Sequence, residues 1–235
     1  MAARRAFILA GGVGARLRPQ TWVLPKPLLP LGQQTILERL LQGVTEAGIE
    51  QATISLGYLG HLVEAVIGDG RRFGLDVSYT REPEPLGTAG ALNLLGDVDP
   101  DETLLVLNGD TLTTLDLAAT MAGFEAGHAL AAMVCVERDV VIDFGVVDAA
   151  ADGRLRGIAE KPRLHHTVST GINLLRGRAL AHLPAGRVDM PDFLLGLVAA
   201  GERVDCVVTD ALWMDLGRPE DLVRANDLLA EGEVL

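Results

Sequence analysis

Few residues of this 235-residue chain are basic, aromatic or cysteine. Its 20 lysines and arginines stand against 32 acidic residues, and the resulting net charge of −12 argues against nucleic acid or an anionic membrane as a partner. No run of about 18 apolar residues indicates a membrane span, and no charged segment before an apolar stretch indicates a signal peptide. We therefore predict a cytoplasmic location.

The two cysteines, Cys135 and Cys206, each lie in an apolar run typical of a strand, and we expect both to be buried free thiols. Hydrophobic residues make up 49% of the chain, enough for a sizeable core in one α/β domain. An acidic protein that binds phosphates must neutralise their charge locally. Such a protein is expected to have a small basic site and a divalent cation.

Residues 6–30 hold the densest pattern in the chain, AFILAGGVGARLRPQTWVLPKPLLP. The apolar residues 6–10 predict a short buried strand, and three glycines follow at positions 11, 12 and 14. Glycines leave backbone N–H groups uncovered, so a phosphate can approach the chain closely. Arg16 and Lys26 supply two cations beside this loop. The Rossmann fingerprint G-x-G-x-x-G is absent because position 17 is leucine, and no G-K-[ST] of a P-loop follows.

The next hundred residues alternate between strand and helix patterns. Thr35 and Glu38 predict a capping box for a helix that ends near Gly48, and strands are predicted at 52–58 and 77–80. A helix between these strands gives the βαβ order of a mostly parallel, Rossmann-like sheet with helices on both faces. Residues 87–90 then predict the start of a helix whose N–H groups are exposed.

Polar residues follow the later strands. Asn108 and Asp110 end the buried strand at 103–111, where a carboxylate either caps the next turn or holds a cation. Beyond residue 128 the pattern changes, because residues 144–162 predict a hairpin with its turn at Asp152 and Gly153. For Trp213, core packing and a place in the wall of a binding site are both open.

Three strings in this sequence resemble the sugar-1-phosphate nucleotidylyltransferases, which make nucleoside-diphosphate sugars. Residues 11–30 read G-G-x-G-x-R-L-x-P-x-T-x-x-x-P-K-P-x-x-P, residues 85–91 read P-L-G-T-A-G-A, and residues 213–221 read W-x-D-x-G-x-P-E-D. Among members of this family, these strings are most similar to those of the guanylyltransferases that act on mannose 1-phosphate or heptose 1-phosphate. The resemblance implies the nucleotide-diphospho-sugar transferase fold, which is GT-A-like.

The resemblance covers nearly the whole chain as a single catalytic domain over 1–235. It implies a nucleotide-binding half at 1–128 and a sugar-phosphate-binding half at 129–235. Some relatives carry a C-terminal β-helix, and we expect none here because the sequence has no hexapeptide repeat. Small members of this family are monomers or homodimers, and we expect the same of this chain.

The family's site residues transfer to matching positions here. The implied catalytic residues are Arg16, Lys26 and Asp110, and the implied ligands of Mg²⁺ are Asp110 and Asp215. Nucleotide contacts are implied for Leu9, Ala10, Gly11, Gly12, Gly14, Arg16, Glu82, Gly87, Thr88 and Asn108. Sugar-phosphate contacts are implied for Gly145, Glu160, Lys161, Gly171, Asn173 and Trp213.

The resemblance implies transfer of a nucleotidyl group from a nucleoside triphosphate, GTP first, to a mannose- or heptose-like sugar 1-phosphate. Two alternatives stay open. One is the same reaction with UTP or dTTP and another sugar or cyclitol 1-phosphate. The other is a non-catalytic relative that binds a nucleoside-diphosphate sugar, although such a relative is expected to lose one of the four charged site residues that this chain keeps.

Overall fold

The computed structural model describes residues 3–232, which form thirteen strands and six α-helices. The strands are β1 (Arg4–Ala10), β2 (Pro30–Leu31), β3 (Gln34–Thr35), β4 (Gln51–Leu56), β5 (Asp76–Arg81), β6 (Thr103–Asn108), β7 (Thr111–Thr113), β8 (Ala131–Val141), β9 (Val146–Ala149), β10 (Leu155–Ala159), β11 (Arg163–Arg176), β12 (Val204–Thr209) and β13 (Trp213–Asp215). The helices are α1 (Ile36–Glu46), α2 (Gly60–Ile67), α3 (Gly87–Gly90), α4 (Leu117–Ala126), α5 (Met190–Ala199) and α6 (Pro219–Ala230).

Seven strands form the central sheet, in the order β12-β8-β11-β6-β1-β4-β5. Strand β1 is parallel to both β4 and β6, and the pairs β4–β5 and β8–β12 are also parallel. Strand β11 runs antiparallel to both of its neighbours, β6 and β8. The predicted change of pattern after residue 128 is therefore where the antiparallel part of the sheet begins.

Helices cover both faces of this sheet, as predicted. On one face, α1, α2 and α4 pack against Ile8 of β1 and Ile54 of β4. On the other face, α5 packs against Phe7 of β1 and Val106 of β6. Alternate residues of β1 thus point into opposite halves of the core, as successive residues of a strand must.

Helix α1 begins with the predicted capping box. The Glu38 N–H donates to Thr35 Oγ1 at 3.2 Å, and the Thr35 N–H donates to Glu38 Oε2 at 2.8 Å. This reciprocal pair satisfies two backbone donors at the start of the helix. It fixes the end of the segment that carries Lys26.

Three two-stranded sheets lie beside the central one, and the smallest pairs β2 with β3. Strands β7 and β13 pair antiparallel, so the last strand is not part of the central sheet. Strands β9 and β10 form the predicted hairpin, which extends from the outer halves of β8 and β11. We call residues 137–169 the arm; most of its side chains are exposed.

Two expectations from the sequence are wrong. Cys135 is buried, but Cys206 is exposed because β12 is the edge strand of the sheet; both thiols are free. Burial raises the pKa of the Cys135 thiol to about 11. Helix α3 has only four residues, and the N–H groups of Thr88, Ala89 and Gly90 donate to the protein itself. Among residues 3–232, no helix combines the length and apolar character that crossing a bilayer requires.

Candidate active site

Asp110 and Asp215 are 105 positions apart in the chain and lie together in the structure. The pairing of β7 with β13 places Asp215 opposite Thr111, and the Leu216 N–H donates to the Asp110 carbonyl at 3.0 Å. The two carboxylates thus sit at adjacent strand ends. Sequence alone predicted their meeting only through the family resemblance.

Lys26 lies between these carboxylates. Its Nζ donates to Asp110 Oδ2 and lies 3.5 Å from Asp215 Oδ1, and the residue is only 8% exposed. A buried ammonium is costly unless it is paired, and here both of its partners are acidic. Among the described residues, no group of three or more histidine, cysteine or acidic side chains is placed to hold a metal ion.

Two carboxylates are nevertheless a suitable donor set for Mg²⁺, which keeps several waters and takes its other ligands from substrate phosphates. The chemistry of Asp110 and Asp215 therefore fits a divalent cation that arrives with a nucleotide. Arg16 lies beside Asp215, next to Gly217. Its Nη2 lies 3.2 Å from the point that a Cβ on Gly217 would occupy, and Asp215 Oδ2 lies 2.9 Å from the same point.

A first cleft of about 520 Å³ opens at the carboxyl ends of the parallel strands. Its lining includes eight of the ten predicted nucleotide contacts, and Arg16 and Gly14 lie outside it. The lining is Leu9, Ala10, Gly11, Gly12, Val13, Lys26, Pro27, Gly57, Tyr58, Glu82, Pro83, Glu84, Pro85, Gly87, Thr88, Asn108, Gly109 and Asp110.

A second cleft of about 310 Å³ adjoins the first. It contains three of the six predicted sugar-phosphate contacts, namely Gly171, Asn173 and Trp213. The residues that line both clefts are Leu9, Thr88, Asn108 and Asp110. The remaining lining is Thr111, Met133, Ser169, Thr170, Met190, Pro191, Leu194 and Asp215.

Asn173 gives the second cleft its polar character. The residue is 4% exposed, and its side-chain oxygen Oδ1 has no hydrogen-bond donor among residues 3–232. A buried acceptor without a donor costs about 1–3 kcal/mol. This oxygen has almost no accessible surface, so a ligand hydroxyl would reach it only if the side chain turned toward the cleft. The opposite wall is fixed, because Trp213 Nε1 donates to the Thr170 carbonyl at 2.8 Å. Trp213 therefore both packs and lines the cleft.

Glu82 presents a carboxylate to the first cleft. The Ser55 hydroxyl donates to Glu82 Oε1 at 3.0 Å, and the Leu86 N–H donates to Oε2 at 2.9 Å. Each carboxylate oxygen can accept two hydrogen bonds, so each retains acceptor capacity toward a ligand. The two protein donors hold the carboxylate in place.

Three of the four N–H groups of the 87–90 segment donate to the protein itself, contrary to the prediction that they are exposed. The Thr88 N–H donates to Asp189 Oδ1 at 3.1 Å, and those of Ala89 and Gly90 donate to the Val188 carbonyl at 3.0 Å. The prediction of exposed N–H groups is therefore wrong for these three residues, and the nucleotide contacts of Gly87 and Thr88 stay a prediction. Thr88 and Gly87 line the first cleft with their other atoms.

Gly145, Glu160 and Lys161 lie on the arm, and none of them lines either cleft. Gly145 and Glu160 are neighbours, since a Cβ on Gly145 would lie 3.0 Å from Glu160 Oε2. Lys161 has a φ of +44°, a left-handed conformation that a residue with a side chain rarely adopts. Their predicted contact with a sugar phosphate stays a prediction.

Several lining residues were not predicted. Tyr58 follows β4 at the ligand-binding edge of the sheet, and that position was a usable signal. Met190, Pro191 and Leu194 begin α5, and Met133 lies on β8. Apolar residues in strand and helix patterns are typical of core packing, so no sequence signal separates these four from the core.

Comparisons with known proteins agree with the fold. The family model described as "Nucleotidyl transferase" matches residues 5–232. The mannose-1-phosphate guanylyltransferase of Mycobacterium tuberculosis is 33% identical over 97% of this chain, and the UTP–glucose-1-phosphate uridylyltransferase of Synechocystis sp. is 31% identical over 94%. The chain spans 65% and 62% of the length of these two relatives.

A crystal structure from Bacillus anthracis, of a proposed glucose-1-phosphate thymidylyltransferase in complex with sucrose, has the same fold. Its TM-score is 0.78 at 26% identity, and the match covers 96% of this chain and 95% of that one. The predicted fold class is confirmed. The chain belongs to the nucleotidyl transferase family.

Proposed function

We propose that this chain transfers a nucleotidyl group from a nucleoside triphosphate to a sugar 1-phosphate and releases pyrophosphate. The observation that carries the proposal is the junction of two clefts at Asp110, with Lys26 and Asp215 beside it. One cleft has room for a base and ribose, and the other is lined by polar side chains that include Ser169, Thr170 and Asn173. The reacting phosphates would meet where the fixed charges are.

In this reaction an oxygen of the sugar phosphate attacks the α-phosphorus, and pyrophosphate leaves in line. The attacking phosphate is already an anion near neutral pH, so the chain needs no general base. Its main tasks are to bring two polyanions together and to neutralise their charge. Lys26 is placed to contact the α-phosphate and the incoming phosphate, and Arg16 the triphosphate and the pyrophosphate.

We propose Mg²⁺ as the cation that Asp110 and Asp215 would hold. When bound, it would stabilise negative charge on the α-phosphate.

On the arm, we propose that Glu160 accepts hydrogen bonds from sugar hydroxyls and that Lys161 binds the sugar phosphate. The cytoplasmic location, the monomeric or homodimeric state and the division into halves at residue 128 stay predictions.

GTP is the nucleotide that Glu82 favours. Guanine presents two adjacent donors, N1–H and N2–H, which a carboxylate can accept together. Uracil and thymine present one N–H between two carbonyl oxygens, and a carboxylate repels those oxygens. The sequence motifs favour mannose 1-phosphate or heptose 1-phosphate as the sugar substrate, with a glucose or cyclitol phosphate as the alternative.

Pyrophosphate release tests the proposal. Five triphosphates, ATP, CTP, GTP, UTP and dTTP, are each combined with a panel of sugar 1-phosphates, first with Mg²⁺ and then with EDTA. We expect turnover with GTP and a manno-configured phosphate, abolished by EDTA. Turnover with UTP or dTTP would overturn the base assignment, and no release with any pair would overturn the activity.

The variant Glu82→Gln tests the base assignment separately. An amide offers one donor and one acceptor, so the preference for GTP over UTP in kcat/KM should fall about tenfold or more. Ser55→Ala is the matched control because it removes one support of Glu82 and keeps the carboxylate; its preference should stay within about threefold. An unchanged preference in Glu82→Gln would contradict the role of Glu82.

A further inference from the structure

The 82–90 loop of the first cleft is joined to the start of α5 by a closed ring of two hydrogen bonds. The Thr88 N–H donates to Asp189 Oδ1 at 3.1 Å, and the Met190 N–H donates to Thr88 Oγ1 at 2.7 Å. The Val188 N–H also donates to the Leu86 carbonyl at 2.8 Å. Each segment thus satisfies donors of the other.

The two segments are in backbone contact, with no space between them. Gly87 has a φ of +77°, and a Cβ there would lie 2.5 Å from the Val188 carbonyl oxygen. A Cβ on Gly90 would overlap the Gly186 carbonyl oxygen. A displacement of the loop must therefore displace residues 186–190 as well.

The ring links the linings of the two clefts. Thr88 lines both of them, whereas Met190, Pro191 and Leu194 of α5 line only the second. Asp189, the remaining member of the ring, precedes α5 and is half-buried. Anything that fixes Thr88 from the nucleotide side also fixes the wall of the second cleft.

We propose that Asp189 is a positioning residue that couples the two substrates: a nucleotide fixes Thr88, and through the ring with Asp189 and Met190 it orders the start of α5. This inference rests on the proposed function, since it takes the first cleft as the nucleotide site and the second as the sugar-phosphate site. A bound nucleotide then raises the affinity for the sugar phosphate. By linkage, the sugar phosphate raises the affinity for the nucleotide by the same factor.

The test compares Asp189→Ala with two matched variants. Asp189→Asn keeps the acceptor Oδ1 for the Thr88 N–H, and Asp192→Ala removes an exposed acid from the same first turn of α5 without touching the ring. Calorimetry gives the Kd of mannose 1-phosphate with and without the α,β-methylene analogue of GTP, which cannot release pyrophosphate. The readout is the ratio of these two Kd values.

We expect the analogue to lower the Kd for mannose 1-phosphate about tenfold or more in the wild type, in Asp189→Asn and in Asp192→Ala. In Asp189→Ala this ratio should move about threefold or more toward one, because the ring loses one of its two hydrogen bonds while the backbone bonds of Val188 remain. The Kd of each ligand alone should change by less than about threefold. A merely structural role would weaken both ligands and leave the ratio unchanged, and that result would overturn the proposal.

Hydrogen exchange supplies a readout that needs no sugar. Adding the GTP analogue alone should protect the amides of residues 188–194 more strongly in the wild type than in Asp189→Ala. Equal protection in the two proteins would overturn the coupling role of Asp189. Binding of neither probe to the wild type would overturn the proposed substrates, and this inference with them; binding of both with a ratio of one would overturn the inference alone.

Discussion

Lys26 is the residue on which the charge balance of the site depends. Its ammonium contacts both carboxylates that we assign to a metal ion, so it neutralises part of their charge when no cation is bound. A divalent cation must compete with this ammonium at short range, where charge–charge interactions amount to several kcal/mol. The same ammonium is then free to meet phosphate.

Lys26→Met should therefore weaken catalysis and strengthen metal binding. We expect kcat to fall about 100-fold or more, because one fixed cation at the reacting phosphates is lost. We expect the Kd of Mn²⁺ alone, measured by electron paramagnetic resonance, to fall about tenfold, because the carboxylates lose their competing cation. Weaker Mn²⁺ binding together with the loss of kcat would show that the variant merely disrupts the site.

Gly171 is a second residue with a specific geometric role. Its φ is +74°, and a Cβ there would overlap Asn108 Nδ2. Gly48, at the end of α1, has a nearly identical φ of +76° and open space around it. Comparing alanine substitutions at the two positions therefore distinguishes the cost of a left-handed backbone from the effect of a steric clash.

Gly48→Ala should lower the free energy of unfolding by about 1 kcal/mol and leave kinetics unchanged, because only the left-handed backbone is penalised. Gly171→Ala should also lower kcat/KM about tenfold or more, because Asn108 lines both clefts and must move. Urea unfolding and steady-state kinetics measure the two effects. Equal kinetics in both variants would contradict this role of Gly171.

At the level of elements, one ion pair connects a strand of the central sheet to a helix. Arg4 of β1 donates from Nε and Nη2 to the two carboxylate oxygens of Glu125 on α4, at 2.7 and 2.6 Å. The hydrogen bonds from Arg4 are the largest cause of a lowered pKa at Glu125. A carboxyl whose pKa is lower in the folded state adds stability above its unfolded pKa, and this stability is lost as the pH falls through the folded pKa.

Glu125→Gln should lower the free energy of unfolding by about 1–2 kcal/mol at pH 7. The difference from the wild type should shrink below about pH 4, where Glu125 of the unfolded chain is itself protonated. Urea unfolding at pH 7 and pH 3 measures this. Glu64→Gln, which removes the partner of the more exposed Arg81, should change stability by less than about 0.5 kcal/mol. An equal loss at both pH values would rule out the ion pair as the cause.

Most of the parallel half of the fold was predictable from the sequence, because its signals are local. The capping box of α1 and the strands that end in glycine or a polar residue each depend on fewer than about ten consecutive residues. The contact of the 86–90 segment with residues 188–189 joins positions about a hundred apart in the chain. Such a contact produces no periodic pattern in the sequence from which it could be predicted. The same holds for the pairing of β7 with β13, which brings Asp215 to Asp110.

At the scale of the whole molecule, the two clefts adjoin each other and have only four lining residues in common. Glu82 lines only the first cleft, and Asn173 only the second. Residues that share no partner usually have additive effects on free energy. The proposed coupling passes through Thr88 and Asp189, and neither Glu82 nor Asn173 is part of that ring.

The double variant Glu82→Gln with Asn173→Ala should therefore be additive. We expect its loss in kcat/KM, measured with both substrates, to equal the product of the two single losses within about twofold. Thr88→Val with Asn173→Ala is the comparison pair, because Thr88 lines both clefts; there we expect a departure of about fivefold or more. A comparable departure in the first pair would contradict the separation of the clefts.

The two clefts also divide the chain by position. Every residue that lines the first cleft lies between positions 9 and 110, and every residue that lines only the second lies between positions 111 and 215. Under the proposed function, residues that line only the second cleft would influence the choice of sugar and lie on a different stretch of the gene from those that line only the first. Four residues of the first stretch, Leu9, Thr88, Asn108 and Asp110, line both clefts. A crossover after codon 110 would therefore exchange most of the lining of the second cleft in one step and leave these four residues in place.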